Sequence, residues 1–424
     1  MNAAAKQPAW LWPTASAGLV LALLCACVLH EPLWLGLGVF HLKPYFADWF
    51  AVLAASDARA AGADPYAVPN FFDPFGRPHI YGPWWLELSA LGLTRAHNFA
   101  SGLTLSLAAL LAGAWLLRPR GPGAALVAAA VLATPGFLLA YERANNDLAI
   151  VLLLALAGWA AGRGSRAGRI LALAGLLFAA GLKIYPVAAA GLLLAGRPAG
   201  RGRDACWLGL AAIGFGAIAS LYAPEFQRAV GLVPRLDIAQ AYGLPVIPYL
   251  WDNPGMLRGW LVAGLLPGLG FWAWRAWRGR RVPAGGAEPM AEGWLLAGAG
   301  AWFLCYAVNT NFGYRSVLLL LPAAAWLRWA QGPAGPGRTQ ARWALGGLLV
   351  TLWLAVFHPA MMVISSLATL RVCAWTLGLE NGLVLGLTLY LAWEVARWLQ
   401  ARWQAYGVPA SGSCAAVNSA AFTS

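Results

Sequence analysis

Asp48 lies in HLKPYFADWFAVLAASDARAAGADPY, residues 41–66, directly after the first long apolar run of the chain. Residues 46–60 have the pattern of a short helix, closed by Gly62 and stopped by Asp64-Pro65. On a helical wheel Asp48 shares a face with Ala51, Val52, Ala55 and Arg59, while Trp49, Phe50 and Leu53 fall on the other side. The bulky stripe is expected to dip into a membrane interface, with Asp48 facing a space bordered by small side chains. A carboxylate in such a place is a candidate general base. It would equally suit the first turn of a helix, where the macrodipole favours an acid.

Three further stretches carry polar groups at the edges of apolar runs. YERANNDLAI, residues 141–150, places Glu142, Arg143, Asn145, Asn146 and Asp147 ahead of one such run. A helix cap needs one residue of this kind, so a cap explains part of the group, and sugar or phosphate binding would explain the rest. GLKIYP, residues 181–186, holds Lys183 in a chain whose basic residues are nearly all Arg. Lys183 is read either as a point charge for a phosphate or as a snorkelling side chain. NTNFGYRS, residues 309–316, offers Arg315 as a fork for a phosphate or carboxylate, or as an interfacial anchor beside Tyr314.

One carboxylate, several cations and hydroxyl-binding amides fit the transfer of a sugar from a lipid-phosphate donor. A phosphate leaving group needs no general acid but does need cations to hold the developing charge. The acceptor hydroxyl needs one base. No P-loop, GxGxxG, HExxH or Ser/His/Asp motif occurs, so nothing in the sequence supports an ATPase, dehydrogenase, zinc protease or serine hydrolase.

The elements that must position these residues are membrane helices. The chain has 424 residues, 60% hydrophobic and 11% charged, with 24 Trp. It cannot cover itself with polar surface, and long apolar runs without strand alternation predict an all-α polytopic bundle. Twelve candidate spans are read at 10–29, 96–117, 122–140, 146–162, 168–182, 184–197, 204–222, 257–275, 292–308, 315–330, 342–360 and 375–396. Pro186 interrupts the fifth and sixth, so about 10–12 spans are expected. Residues 1–403 are read as one transmembrane domain without a large soluble domain, and 404–424 as a disordered tail. The first run is read as a retained signal anchor.

The formal charge of +13 could indicate a nucleic-acid partner, but the basic residues sit in short loops between apolar runs. That is the pattern of cytoplasmic loops, and no separate basic and aromatic segment exists for nucleic acid. With the N-terminus inside, most Lys and Arg fall on the inner side. The long segments 30–95 and 223–256 then lie outside, and the loops 163–169 and 275–291 inside. Six scattered Cys without CxxC or zinc spacing predict neither disulfides nor a metal, and no cofactor is expected.

FADWFAVLAASDARAAGADPY, YGPWW, ERANNDLAIVLLLAL, GLLFAAGLKIYP and NTNFGYRSVLLLLP resemble, in that order, the bacterial integral-membrane glycosyltransferases of the GT-C superfamily, above all glycosyltransferase family 87. The resemblance covers about residues 10–330. It implies a polyprenyl-phosphate-linked hexose donor, often mannose, a glycan or glycolipid acceptor, an outward-facing site in the bacterial inner membrane, and inversion. It carries the family's catalytic Asp onto Asp48. The residues themselves, read beside it, give Lys183, Arg315 and Arg143 as the donor-phosphate set, and Asn145, Asn146, Asp147, Glu142, Tyr81 and Tyr314 as the sugar and acceptor set. Relatives often show Gly-Asn where this chain has Ala144-Asn145, and an acidic residue near Phe312 or Gly313. Two other classes stand beside this expectation: a transporter or lipid flippase, and a non-catalytic relative.

Overall fold

The computed structural model describes residues 8–196, 200–233, 241–246, 248, 254–266, 268–270, 273, 288–308, 311–357 and 367–406. The chain is an all-α polytopic membrane protein. In order, the α-helices are α1 (Leu11–Leu29), α2 (Pro32–Gly36), α3 (Ala47–Ala60), α4 (Asn98–Leu117), α5 (Pro122–Leu132), α6 (Pro135–Arg143), α7 (Asp147–Gly162), α8 (Arg166–Leu182), α9 (Arg201–Leu221), α10 (Ala223–Gly231), α11 (Pro254–Arg258), α12 (Pro289–Val308), α13 (Leu320–Ala330), α14 (Pro336–Trp353) and α15 (Leu367–Ala405). Short 3-10 segments run over Pro83–Glu87, Tyr185–Leu194 and Gly313–Leu319. A two-residue antiparallel ladder joins β1 (Ala241–Tyr242) to β2 (Asn311–Phe312), with Ala241 opposite Phe312.

Six helices among the described residues are long and apolar enough to cross a membrane alone: Leu11–Leu29, Arg95–Leu117, Arg201–Leu221, Pro289–Val308, Pro336–Phe357 and Trp375–Ala405. α5 and α6 pass that test as a pair bent by 61°. The break has a plain cause. Pro135 has no N–H and forces Thr134 into the extended region, φ −63 and ψ 150. The expected interruption at Pro186 is also present. α8 ends at Leu182, Lys183 is extended, and the chain continues as the 10-residue 3-10 segment Tyr185–Leu194. At a rise of about 2 Å per residue that segment is too short to span alone. The tail beyond residue 406, most of the 275–291 loop and much of 223–256 lie outside the described residues.

Helices approach closely through small residues, as membrane helices do. Gly158 of α7 meets Gly293 of α12, and Gly300 of α12 meets Ala188. Charged groups gather at two opposite ends of the bundle. At one end Asp204 takes Arg402 (2.7 Å) and Arg169 (3.4 Å), and Glu288 takes Arg328 (3.7 Å). Lys183, at the far end of α8 from Arg169, belongs to the other.

The segment before α4 is not an open loop. Gly82 donates its N–H to Leu182 O at 2.8 Å, pinning YGPWW onto the end of α8. A Cβ on Gly82 would fall on the Gly181 and Leu182 carbonyls, and one on Gly181 would fall inside the Trp84 ring. Gly82→Ala is therefore expected to cost about 1–3 kcal/mol by overpacking. A lowered thermal midpoint in detergent checks this; an unchanged midpoint contradicts it.

This folding corrects one expectation. Trp49 and Leu53 do not dip into a membrane interface but are buried in the protein. Trp49 meets Trp85 edge-on at 5.5 Å and donates Nε1–H to Ser101 Oγ at 2.7 Å. The 3-10 segment Pro83–Glu87 covers the face that helical spacing alone leaves open.

Candidate functional site

The turn into α3 aims Asp48. Phe46 adopts φ 63, in the left-handed region, and donates its N–H to Glu142 O at 3.0 Å. Its ring lies where a Cβ on Gly102 would be. Asp48 consequently faces the corner between α6 and α7. Its Oδ2 accepts Asn145 Nδ2–H at 2.7 Å, and its Oδ1 accepts Arg77 Nη1–H at 3.2 Å. Arg143 Nη1 stands 3.9 Å from the same Oδ1. Asp48 does lie in the first turn of α3, where helix polarity favours an acid, but no side chain caps α3 and the oxygens of this carboxylate go elsewhere. Its neighbours are charged and amide groups, not the small side chains expected.

The corner itself is a helix-ending turn. Ala144 takes φ 43 and Asn145 N–H reaches back to Ala140 O at 2.9 Å. Asn145 Oδ1 then accepts from Asp147 N at 2.9 Å and opens α7. One residue thus satisfies the first N–H of α7 and orients Asp48. Asn146, beside it, is fully buried, and neither atom of its amide finds a hydrogen-bond partner.

Asp147 forms the second centre. It is buried, bonded to Lys183 Nζ, and accepts Tyr185 OH at 2.5 Å. Arg315 Nε lies 4.0 Å from its other oxygen. The Tyr81 ring covers Lys183 Nζ, with the centroid at 4.8 Å. Lys183 is thus neither a snorkelling side chain nor an open cation, since its charge is met by Asp147. Tyr81 and Tyr314 each lie within electrostatic reach of both Asp48 and Asp147, so the two centres make one locus. Tyr242 and Cys305 reach it too, beside Arg315.

Arg143 is satisfied differently from its neighbours. It donates Nη2–H to Phe40 O at 3.2 Å, while its buried Nε has no hydrogen-bond partner. Glu142 Oε2 is 3.7 Å away, and Glu142 Oε1 accepts Leu42 N–H at 2.8 Å. Each of Glu142 and Asp147 thus keeps one oxygen without a hydrogen bond, Arg143 makes one hydrogen bond and two ion pairs, and the Asn146 amide makes no hydrogen bond.

Sequence reading missed Arg77 and Asp73. Arg77 Nε donates to Asp73 Oδ2 at 3.0 Å and Nη2 to Ala47 O at 2.6 Å. The signal was present in NFFDPFGR, where Asn70, Asp73 and Gly76 mark a turn and Asp73 precedes Arg77 by four residues. Asp73 and Asp48 together hold the Arg77 guanidinium above its usual range, against the opposing effect of its burial.

His79 backs this site. Its ring meets Tyr66 at 5.6 Å and Tyr81 at 5.7 Å, both edge-on, and its Nε2 bonds Gly82 O at 3.1 Å. A carbonyl only accepts, so Nε2 carries the proton and buried Nδ1 is bare. Burial, aided by Arg59, lowers its pKa from 6.5 to about 4. A depressed histidine stabilises the fold fully above its unfolded value and loses that contribution as pH falls toward the folded one. Between pH 6.5 and 4 the segment is expected to lose about 3 kcal/mol against local opening. Faster amide exchange over residues 64–82 at pH 4.5 than at pH 7, corrected for intrinsic rates, checks this; pH-independent protection contradicts it.

No group of three or more His, Cys, Asp or Glu among the described residues could hold a metal ion. Compared with protein-family models, curated proteins and solved structures, the chain matches none.

Proposed function

We propose that the protein is a membrane hexosyltransferase that moves a sugar, mannose by the resemblance, from a polyprenyl-phosphate donor to a hydroxyl of a glycan or glycolipid acceptor. The observation that carries this reading is the juxtaposition at the α6–α7 corner. An oriented carboxylate, Asp48, lies beside a largely buried guanidinium, Arg143, that makes a single hydrogen bond, to Phe40 O, and only longer ion pairs with Asp48 and Glu142.

In this reading Asp48 takes the proton of the acceptor hydroxyl as its oxygen attacks the anomeric carbon. The C–O bond to phosphate breaks with inversion, and Arg143 holds the charge left on the phosphate. The unpartnered amide of Asn146 reads a sugar hydroxyl. Lys183 and Arg315 complete the cationic wall, held in place by Asp147. The reading places the site on the outer face of a bacterial inner membrane and the N-terminus in the cytoplasm, following the loop charges.

Arg143→Gln is the direct test of the phosphate role. Losing a charge-assisted contact of about 1.5–3 kcal/mol should raise the KM for donor about 10- to 100-fold. An unchanged KM would remove Arg143 from the phosphate site.

The breaks at Thr134 and Lys183 favour a second reading, a transporter of lipid-linked sugars, because interrupted helices build transport sites. Asp48-independent movement of the intact donor across proteoliposomes would select it.

A further inference from the structure

We infer that the loop 69–77 is a membrane anchor whose aromatic tip, Phe71, seats in the leaflet on the site's side while its other end, Arg77, holds Asp48. This stands apart from the proposed reaction. Phe71 is 90% exposed, and Val68 and Phe75 beside it are also exposed. The loop is nevertheless tightly built. Asn70 N–H bonds Gly76 O at 3.0 Å and Gly76 N–H bonds Asp73 O at 2.9 Å. Asn70 Oδ1 accepts Phe72 N–H at 3.0 Å and Asp73 Oδ2 accepts Phe75 N–H at 3.1 Å. Gly76 takes φ +67, the left-handed conformation that closes the turn. A rigid loop that holds a phenyl ring outward marks a contact surface.

Its position identifies the partner. Arg95 donates Nη1–H to Phe72 O at 2.9 Å and stacks over the Phe72 ring at 4.8 Å. Arg95 is the first residue of the span Arg95–Leu117. One turn further on, Phe99 is exposed, followed by Leu103, Leu111 and Trp115, an exposed apolar surface on a helix long and apolar enough to cross a membrane. The loop is therefore tied, through Phe72, to the first residue of that apolar span, at the depth where aromatic side chains settle. A sugar stacking on Phe71 would need polar side chains beside the ring. Of the polar side chains in the loop, Asn70 and Asp73 are buried and turned onto its own backbone and Arg77, and Arg77 is taken up by Asp73, Asp48 and Ala47 O.

The anchor would fix the depth of Asp48 relative to the lipid head groups through Arg77. The test places a nitrobenzoxadiazole probe on Phe71→Cys in the full chain with its six native Cys replaced by Ser. The protein is reconstituted into phosphatidylcholine and phosphatidylglycerol vesicles carrying a nitroxide lipid. The same probe on Ala63→Cys serves as the control. The expected result is blue-shifted emission at position 71, quenched by the nitroxide lipid and shielded from aqueous iodide, with the reverse at 63. Iodide quenching at 71 equal to that at 63 would overturn the anchor. If the Cys-free chain does not fold, benzoylphenylalanine in place of Phe71 in the otherwise native protein answers the same question. Light-induced adducts with phospholipid support the anchor, and adducts with glycan alone, or recovery of the benzophenone unreacted, overturn it.

Discussion

Asp48→Asn is expected to lower sugar transfer by about 10²–10⁴-fold, the usual contribution of a general base, while the protein stays folded and keeps its donor. The substitution preserves size and leaves Oδ1 able to accept from Arg77 or Asn145, but an amide cannot take the acceptor's proton. Asn caps helices about as well as Asp, so a capping residue would tolerate the exchange. Asp48 makes no cap contact, and its oxygens go to Asn145 and Arg77. Transfer in membranes, with expression and thermal midpoint as controls, checks the prediction. Near-normal turnover by the Asn variant would remove the base from the mechanism.

The second large effect concerns the Asp147–Lys183 pair, buried among Tyr185, Arg315 and Tyr81. Lys183→Met leaves a buried carboxylate without its closest cation and should cost about 3–5 kcal/mol. Replacing both partners, Lys183→Met with Asp147→Leu, should recover much of that loss, because apolar groups of similar volume often replace a buried pair at little cost. Activity should not return with stability, since Arg315 then loses the carboxylate that orients it. Thermal unfolding of both single variants and the double variant measures the coupling. Strictly additive losses would mean that the pair does not act as a unit. A stable, fully active double variant would show that the pair has no part in transfer.

The helical class and the order of apolar segments were readable because 11% charged residues cannot clothe a soluble chain of this size. The count of independent spans was less so. Apolarity marks α7 and the segment Tyr185–Leu194, but whether each crosses alone depends on length, bend and neighbours, which composition does not carry. At the site, the α3 boundary and its Gly62 stop follow from local turn chemistry, and Gly62 indeed takes φ +74. What covers α3 does not follow, because the cover comes from Pro83–Glu87, some thirty residues away. Lys183 shows the same limit. A lone Lys between apolar runs reads as an available cation, yet its partner is Asp147, 36 residues earlier in the chain. Asn145 was visible as a polar residue at a helix start. Its second bond, to Asp48, spans 97 residues and needed the fold.

The central claim is that Asp48 drives transfer of a sugar from lipid phosphate to an acceptor hydroxyl. Release of the lipid product in native membranes, which supply the acceptor, tests it whichever acceptor takes the sugar. Membranes holding the wild-type or the Asp48→Asn chain are given polyprenyl-phosphate mannose labelled in the lipid, and free polyprenyl phosphate is followed over time. The account predicts steady release by the wild-type chain and release at least about 100-fold slower with Asn. Equal release by the two chains, or intact donor in both, would contradict it.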